Sequence, residues 1–145
     1  MVFEGAEQIV KSACEVKEDG VVLARYIPAE VAWTEGLNFF SDDADYIQAG
    51  VWGYNQGKEL KAHVHNQVSR EVLWTQEVLF VRKGRIRASI FTSSGTKVAE
   101  MEVGSGDLII LLRGGHGYEI LEDGTQVLEI KNGPYVGPEL DRRRL

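Results

Sequence analysis

The sequence predicts a single all-β domain, and three observations carry that expectation. Short apolar runs recur along most of the chain, each bounded by Gly, Asp, Asn or Pro. Several of them alternate polar against apolar, the period of two that buries one face of a strand. The third is size: 145 residues suffice for one substantial core and are too few for two ordinary domains. Sixteen glycines against three prolines, with many turn signals, fit a β-barrel or sandwich, and long helices are not expected.

Taken in order, residues 1 to 20 mix apolar and acidic positions, with a short helix or edge strand expected over Ala6 to Cys14. Val21 to Ile27 is the first clear strand, and Pro28 ends it by fixing φ and removing a backbone donor. The segment from Glu30 to Asp45 places Trp33, Phe39 and Phe40 among acidic and small residues, which suits core or dimer-interface positions. Alternation returns from Tyr46 to Tyr54, with Trp52 and Tyr54 on one face. Gly57 to Gly84 follows, and Glu77 to Val81 within it reads as a strand.

Arg85 to Ile90 alternates cleanly, which places Arg85 and Arg87 on a solvated face. Ser93-Ser94-Gly95 makes a hairpin turn before a strand around Val98 to Val103, and Gly104-Ser105-Gly106-Asp107 makes a second turn. Leu108 to Leu112 is a buried strand. Gly114-Gly115 leads into His116 and a strand through Ile120, and Asp123-Gly124 is another hairpin before Gln126 to Lys131. Pro134 and Pro138 break regular structure in a tail over residues 132–145. About ten strands are expected in all.

Composition excludes some functions. A net charge of −6, with the only basic cluster at Arg142-Arg143-Arg144, argues against a nucleic-acid partner, because phosphate neutralisation needs clustered Lys and Arg. The lone Cys14 makes no internal disulfide, suggests a reducing compartment, and has no neighbour in sequence to activate it as a nucleophile. The start of the chain shows neither a basic region nor a long apolar stretch, so no secretory signal is read. The longest aliphatic run, Leu108 to Leu112, falls far short of the roughly 20 residues that span a bilayer. A soluble, cytoplasmic protein without a membrane partner is the expectation.

The chemistry concentrates in three histidines and one acid. His63 and His65 are one residue apart, which on a strand turns both imidazoles to one face. Glu77 opens the following apolar run, and His116 completes a set of three histidines and a carboxylate. Neutral imidazoles with one carboxylate suit a borderline divalent ion such as Fe, Mn, Ni, Co, Cu or Zn, and leave positions open for water or substrate. Alternation places Trp52 with Tyr54, Leu79 and Val81 with Glu77, and Tyr118 with His116 as cavity-lining candidates. Tyr54 and Tyr118 offer hydroxyls to a bound substrate, and Arg70, close to His65, offers a cation to an anionic one. These three are the catalytic candidates.

These residues resemble the cupin superfamily. Gly57, five residues, then His63-Val64-His65 is similar to the front of the first cupin motif, and Glu77, six residues, then Gly84 to its back. Gly106-Asp107 followed by His116 is similar to the second motif, so the likeness covers motif 1 at 57–84 and motif 2 at about 104–120. Eleven residues separate His65 from Glu77 where cupins have three or four, so Asn66 to Gln76 reads as an insertion. Its Trp74 is expected to fold back onto the barrel. The family's second-motif proline, expected near Leu112, and its asparagine, at the position of Ile120, are both missing, and the spacing is short by a residue. Glu71 is the alternative carboxylate, but it lacks a glycine seven residues on, which favours Glu77.

The resemblance implies a jelly-roll β-barrel with one divalent metal held by His63, His65, Glu77 and His116. It also implies a homodimer formed through the N-terminal segment, including some of Trp33, Phe39 and Phe40. The implied function is a metalloenzyme acting on a small polar molecule, a sugar derivative or organic acid, by oxygenase or isomerase/lyase chemistry. The alternative is a non-catalytic metal-dependent module that binds or senses a small ligand, and a metal-free epimerase type is the third reading. Fold likeness alone does not choose between them.

Overall fold

In the computed structural model of the chain, which describes residues 2–4, 9–10 and 14–145, the apolar runs become strands of two sheets that share a core. The strands are β1 (Val2–Glu4), β2 (Ile9–Val10), β3 (Cys14–Glu18), β4 (Val21–Ile27), β5 (Gly36–Phe39), β6 (Gly50–Gly53), β7 (Glu77–Lys83), β8 (Arg85–Phe91), β9 (Lys97–Gly104), β10 (Leu108–Leu111), β11 (Gly115–Ile120) and β12 (Gln126–Lys131). Two single turns of helix, α1 (Ala29–Ala32) and α2 (Pro138–Asp141), are the remaining elements. The larger sheet runs β1-β3-β4-β10-β7-β12, the smaller β11-β8-β9-β2, and β5 pairs with β6 in a separate ribbon. Pairing is antiparallel except for β1 with β3 and β2 with β9. Most of the segment expected as helix or edge strand, Ala6 to Cys14, lies outside the described residues, with only Ile9–Val10 placed as a strand and Cys14 opening β3.

Side-chain alternation explains why β10 sits in the middle of the larger sheet. Ile109 and Leu111 face the core between the sheets, with Val16, Leu79, Val81, Ile86, Ile90 and Met101. Leu108, Ile110 and Leu112 face the other way, into a second apolar layer with Ile47, Val51 and Val78. A strand buried on both faces reads as an unbroken aliphatic run, as this one does. The outer layer is held by the segment after α1. Buried Arg25 on β4 binds Asp45 at 2.6 Å and Asp42 at 2.8 Å, with Glu15 at 3.4 Å. Burial lowers its proton affinity, and these carboxylates more than offset that.

The turns fall where the glycines mark them. Gly57, Gly84, Gly95, Gly106 and Gly124 all have positive φ. Gly84 is the tightest of the hairpin positions, because a Cβ there would lie 2.3 Å from Thr125 Oγ1. Arg85 and Arg87 lie on the outer face, as alternation implies, and pair with Glu102, Glu122, Glu100 and Glu119. No helix among the described residues is long and apolar enough to cross a membrane.

One expectation fails in a specific place. The chain between β6 and β7 was expected to carry His63 and His65 on a strand beside Glu77, yet residues 54–76 contain no strand. Every residue from Trp52 to Leu73 is exposed. The excursion therefore begins well before Asn66. Without a strand from this segment the two sheets do not close into a barrel: β11 ends one sheet and β12 ends the other, each with one edge unpartnered among the described residues.

Candidate metal and ligand site

Glu77 opens β7 between two neighbours, with Leu111 across from it on β10 and Lys131 across from it on β12. It shares its inward face with Leu79 and Val81, so a carboxylate stands at the end of an apolar row. His116 comes from the other sheet, as the second residue of β11. The chain reaches it through Gly114, which has φ +73 and would put a Cβ 2.3 Å from the Phe91 carbonyl oxygen. Only glycine lets β10 pass into β11 so tightly.

The two side chains meet across the gap between the sheets. His116 Nε2 lies 2.7 Å from Glu77 Oε2, and Lys131 Nζ lies 3.0 Å from Glu77 Oε1. Glu77 is 5% exposed. Despite the close nitrogen, Oε2 has no hydrogen-bond partner of acceptable geometry. Nε2 and Oε2 are therefore in ion-pair contact without being aimed along one N–H···O line. Lys131 holds the far oxygen and fixes the carboxylate's orientation.

Electrostatics follow this arrangement. Burial raises the proton affinity of Glu77, but contact with His116 and Lys131 outweighs it and holds the carboxyl well below its usual range. Glu129, on the same strand face as Lys131, moves the other way, raised by burial and by the Glu77 carboxylate. Lys131 is raised, chiefly by its hydrogen bond to Glu77. Local burial, then the charges of Glu77 and Glu129, push the Tyr118 phenol up, although two fifths of the residue is exposed (41%), and its ring lies 5.5 Å from that of His116. Tyr118 thus remains a hydrogen-bond donor at any ordinary pH.

A depressed Glu77 has a consequence for acid stability. The ionised carboxylate contributes stability that is present above the ordinary glutamate value and lost as pH falls through the lower folded value. In metal-free protein, Glu77→Gln is expected to lower the melting temperature at pH 7 and to flatten its decline between about pH 5 and pH 2.5. Thermal melts of both proteins across that range check it. Parallel pH profiles would show that the Glu77 charge contributes nothing.

These groups border a cavity of about 1130 Å³, lined also by Leu23, Phe91 and Arg113. The tail wraps its mouth: Arg143 donates to the Ser93 carbonyl at 2.7 Å, Thr75 hydrogen-bonds Asp141, and Leu145 lies against Gly115. Trp74 folds back here as expected, donating from Nε1 to the Leu112 carbonyl at 2.8 Å, with the Arg113 guanidinium 4.0 Å above its ring. The cavity's lining is mixed: Leu23, Phe91 and Leu111 are apolar, Lys131, Arg113 and the Arg142–Arg144 tail are cationic, and Glu18, Asp19, Glu129 and Asp141 are acidic. A second hollow of about 530 Å³ lies by Arg25 and Phe39, and Arg25, its one cation among the described residues, is already committed to three carboxylates. The Cys14 thiol beside it is pushed up to about 11, chiefly by burial, and is no nucleophile.

Of the residues singled out in the sequence, the structure brings together Glu77, His116 and Tyr118. It does not bring His63, His65, Tyr54 or Arg70 to them. His63 and His65 stand on the exposed stretch with ring centroids 5.0 Å apart, and His63 Nδ1 lies 3.2 Å from the Lys61 carbonyl oxygen. Tyr54 is exposed beside Trp52 and Lys58, outside the cavity. Arg70 and Glu71 are exposed on the same stretch, so of the two candidate carboxylates it is Glu77 that meets a histidine. Among the described residues no group of three or more His, Cys, Asp or Glu is gathered to hold a metal.

Lys131 and Glu129 escaped the sequence reading, which saw β12 only as a strand. The signal was available in the pairing: an antiparallel partner to β7 sets a lysine opposite Glu77, a favourable cross-strand pair. No protein-family model, curated protein or solved structure matches the chain.

Proposed function

We propose that the chain is a small cupin-type metalloprotein, a jelly roll whose cavity binds a divalent ion and, beside it, a small polar molecule such as an organic acid or sugar derivative. The observation that supports this reading is the buried Glu77 carboxylate at the cavity wall, with Oε2 against His116 Nε2 and Oε1 against Lys131 Nζ. A carboxylate oriented by an outer cation through one oxygen, with an imidazole against the other, is a pair of groups that an ion can recruit as ligands. Glu77 and His116 would hold the ion, together with His63 and His65 once the exposed stretch is brought to them. The ion supplies Lewis acidity at the open positions. Arg113 and Lys131 would attract an anionic ligand and Tyr118 would donate a hydrogen bond to it, beside the apolar side chains of Leu23, Phe91 and Leu111 that also line the cavity.

Metal analysis of protein purified without added metal, and again after loading, tests the reading. Glu77→Ala and His116→Ala are expected to lower metal content severalfold, while Glu71→Ala leaves it unchanged. Full retention in both Glu77→Ala and His116→Ala would overturn the site. With loaded protein, oxygen uptake or isomerisation of candidate acids marks an enzyme, and tight binding without turnover marks the binding module.

A further inference from the structure

We propose that residues 133–145 are a strap that gates the cavity: they lie across its mouth from one sheet to the other, and swing clear about the link 133–137 to admit a ligand. That the ligand is a small anion rests on the function proposed above, and the gating does not.

Where the strap starts and where it lands carry the argument. It follows β12 from Asn132, which is fastened to the larger sheet: its Oδ1 accepts from the Gln76 amide at 2.7 Å, and its Nδ2 donates to the Trp74 carbonyl at 3.3 Å. It lands on the smaller sheet. Arg143 donates to the carbonyl of Ser93, in the turn between β8 and β9, and Leu145 rests on Gly115 of β11, the residue before His116. A Cβ at Gly115 would overlap Leu145 Cδ1, so the absence of a side chain there makes the seat. A third contact, Thr75 with Asp141, holds the near side. Residues 141–145 all line the cavity, in company with His116 and Tyr118.

Between its fixed start and its landing the strap is loosely held. Among the described residues, no hydrogen bond or ion pair joins residues 133–140 to the rest of the chain. Tyr135, Val136 and Leu140 are 75%, 57% and 83% exposed. Gly137, at φ +88, has nothing within 4 Å of where a Cβ would stand, so rotation there meets no neighbour. Two hydrogen bonds and one apolar seat barely offset the entropy of ordering the segment, so it opens without unfolding the sheets. The strap also carries charge with it. The Arg142 and Arg144 side chains make no hydrogen bond or ion pair among the described residues, so closure sets two uncommitted cations beside Arg113 at the mouth.

The test locks and releases the strap and reads the reactivity of His116, whose Nε2 stands against Glu77 at the cavity. Leu145 Cγ lies 3.4 Å from a Cβ built at Gly115, within reach of a disulfide in Gly115→Cys/Leu145→Cys protein, while Cys14 is buried. Arg143→Ala/Leu145→Ser releases the strap instead. The probe is diethylpyrocarbonate, with carbethoxylation of each histidine followed by peptide mass spectrometry and the exposed His63 and His65 as references in the same chain. With the disulfide formed, His116 is expected to react severalfold more slowly than after its reduction. In the released variant it is expected to react severalfold faster than in wild type. Failure of the disulfide to form in folded protein overturns the seat, and equal His116 rates in the locked, reduced and released proteins overturn the gate. This readout needs neither metal nor ligand. A strap that gates His116 in a protein that never holds metal leaves the gate standing and sinks the function proposed above.

Discussion

Asp107→Ala is expected to destabilise the protein by about 3–4 kcal/mol and to lower its melting temperature by about 10 °C. The Asp107 carboxylate is 8% exposed and joins three parts of the chain. Oδ2 accepts from the Tyr26 hydroxyl at 3.0 Å and the Gly104 amide at 2.7 Å, and Oδ1 accepts from the Ala29 amide at 2.8 Å. Removing it leaves donors of β4, of the turn before β10 and of α1 without partners, and an unsatisfied buried donor costs about 1–3 kcal/mol. Asp107→Asn keeps one acceptor oxygen and is expected to cost about half as much. Equal losses in the two variants, by chemical denaturation, would show that packing and not these hydrogen bonds sets the effect.

Ile109→Ala is expected to cost about 3–4 kcal/mol, toward the upper part of the range for large aliphatic truncations. Ile109 is 0% exposed, on the inner face of β10, with Tyr26 of β4 and Leu79 of β7 as its cross-strand neighbours. A strand hydrogen-bonded along both edges cannot move in to fill the void. Ile109→Val should cost about 1 kcal/mol, and Val136→Ala, at an exposed position, under about 0.5 kcal/mol. A loss below about 1 kcal/mol for Ile109→Ala would mean that the core relaxes around it.

The elements that sequence conveyed are those whose pattern answers to local physics. Arg85 to Ile90 alternates because one face of β8 meets the core and the other meets water, and Ile86, Ala88 and Ile90 are buried accordingly. The turn glycines could be read because only glycine takes their positive φ without strain. Pro28 ended its strand for an equally local reason. Glu77 was found because it opens β7, a strand whose register burial fixes, and His116 and Tyr118 because they alternate along β11 after the Gly114-Gly115 turn.

The failure at His63 and His65 has the opposite cause. A period of two states which way side chains would point if the segment were a strand, but a strand exists only where another edge offers hydrogen bonds. Nothing in residues 57–73 says which edge that is. Lys131 was missed for a related reason, since its partner is fixed by a pairing between β7 and β12 that lies outside either segment. Asp107 read as a turn residue, and its part in joining three elements appears only when they are assembled.

The central place of β10 also orders events during synthesis. Its partners are β4, where Leu108 lies opposite Ile27, and β7, where it lies opposite Phe80. The β3–β4 and β8–β9 hairpins can form as they emerge, but nothing joins β4 to β7 until Leu108–Leu111 has left the ribosome. Until then two half-sheets expose the edges that β10 will cover. Closure over so long a separation in sequence is slow, and the nascent chain is most open to aggregation just before its middle strand arrives.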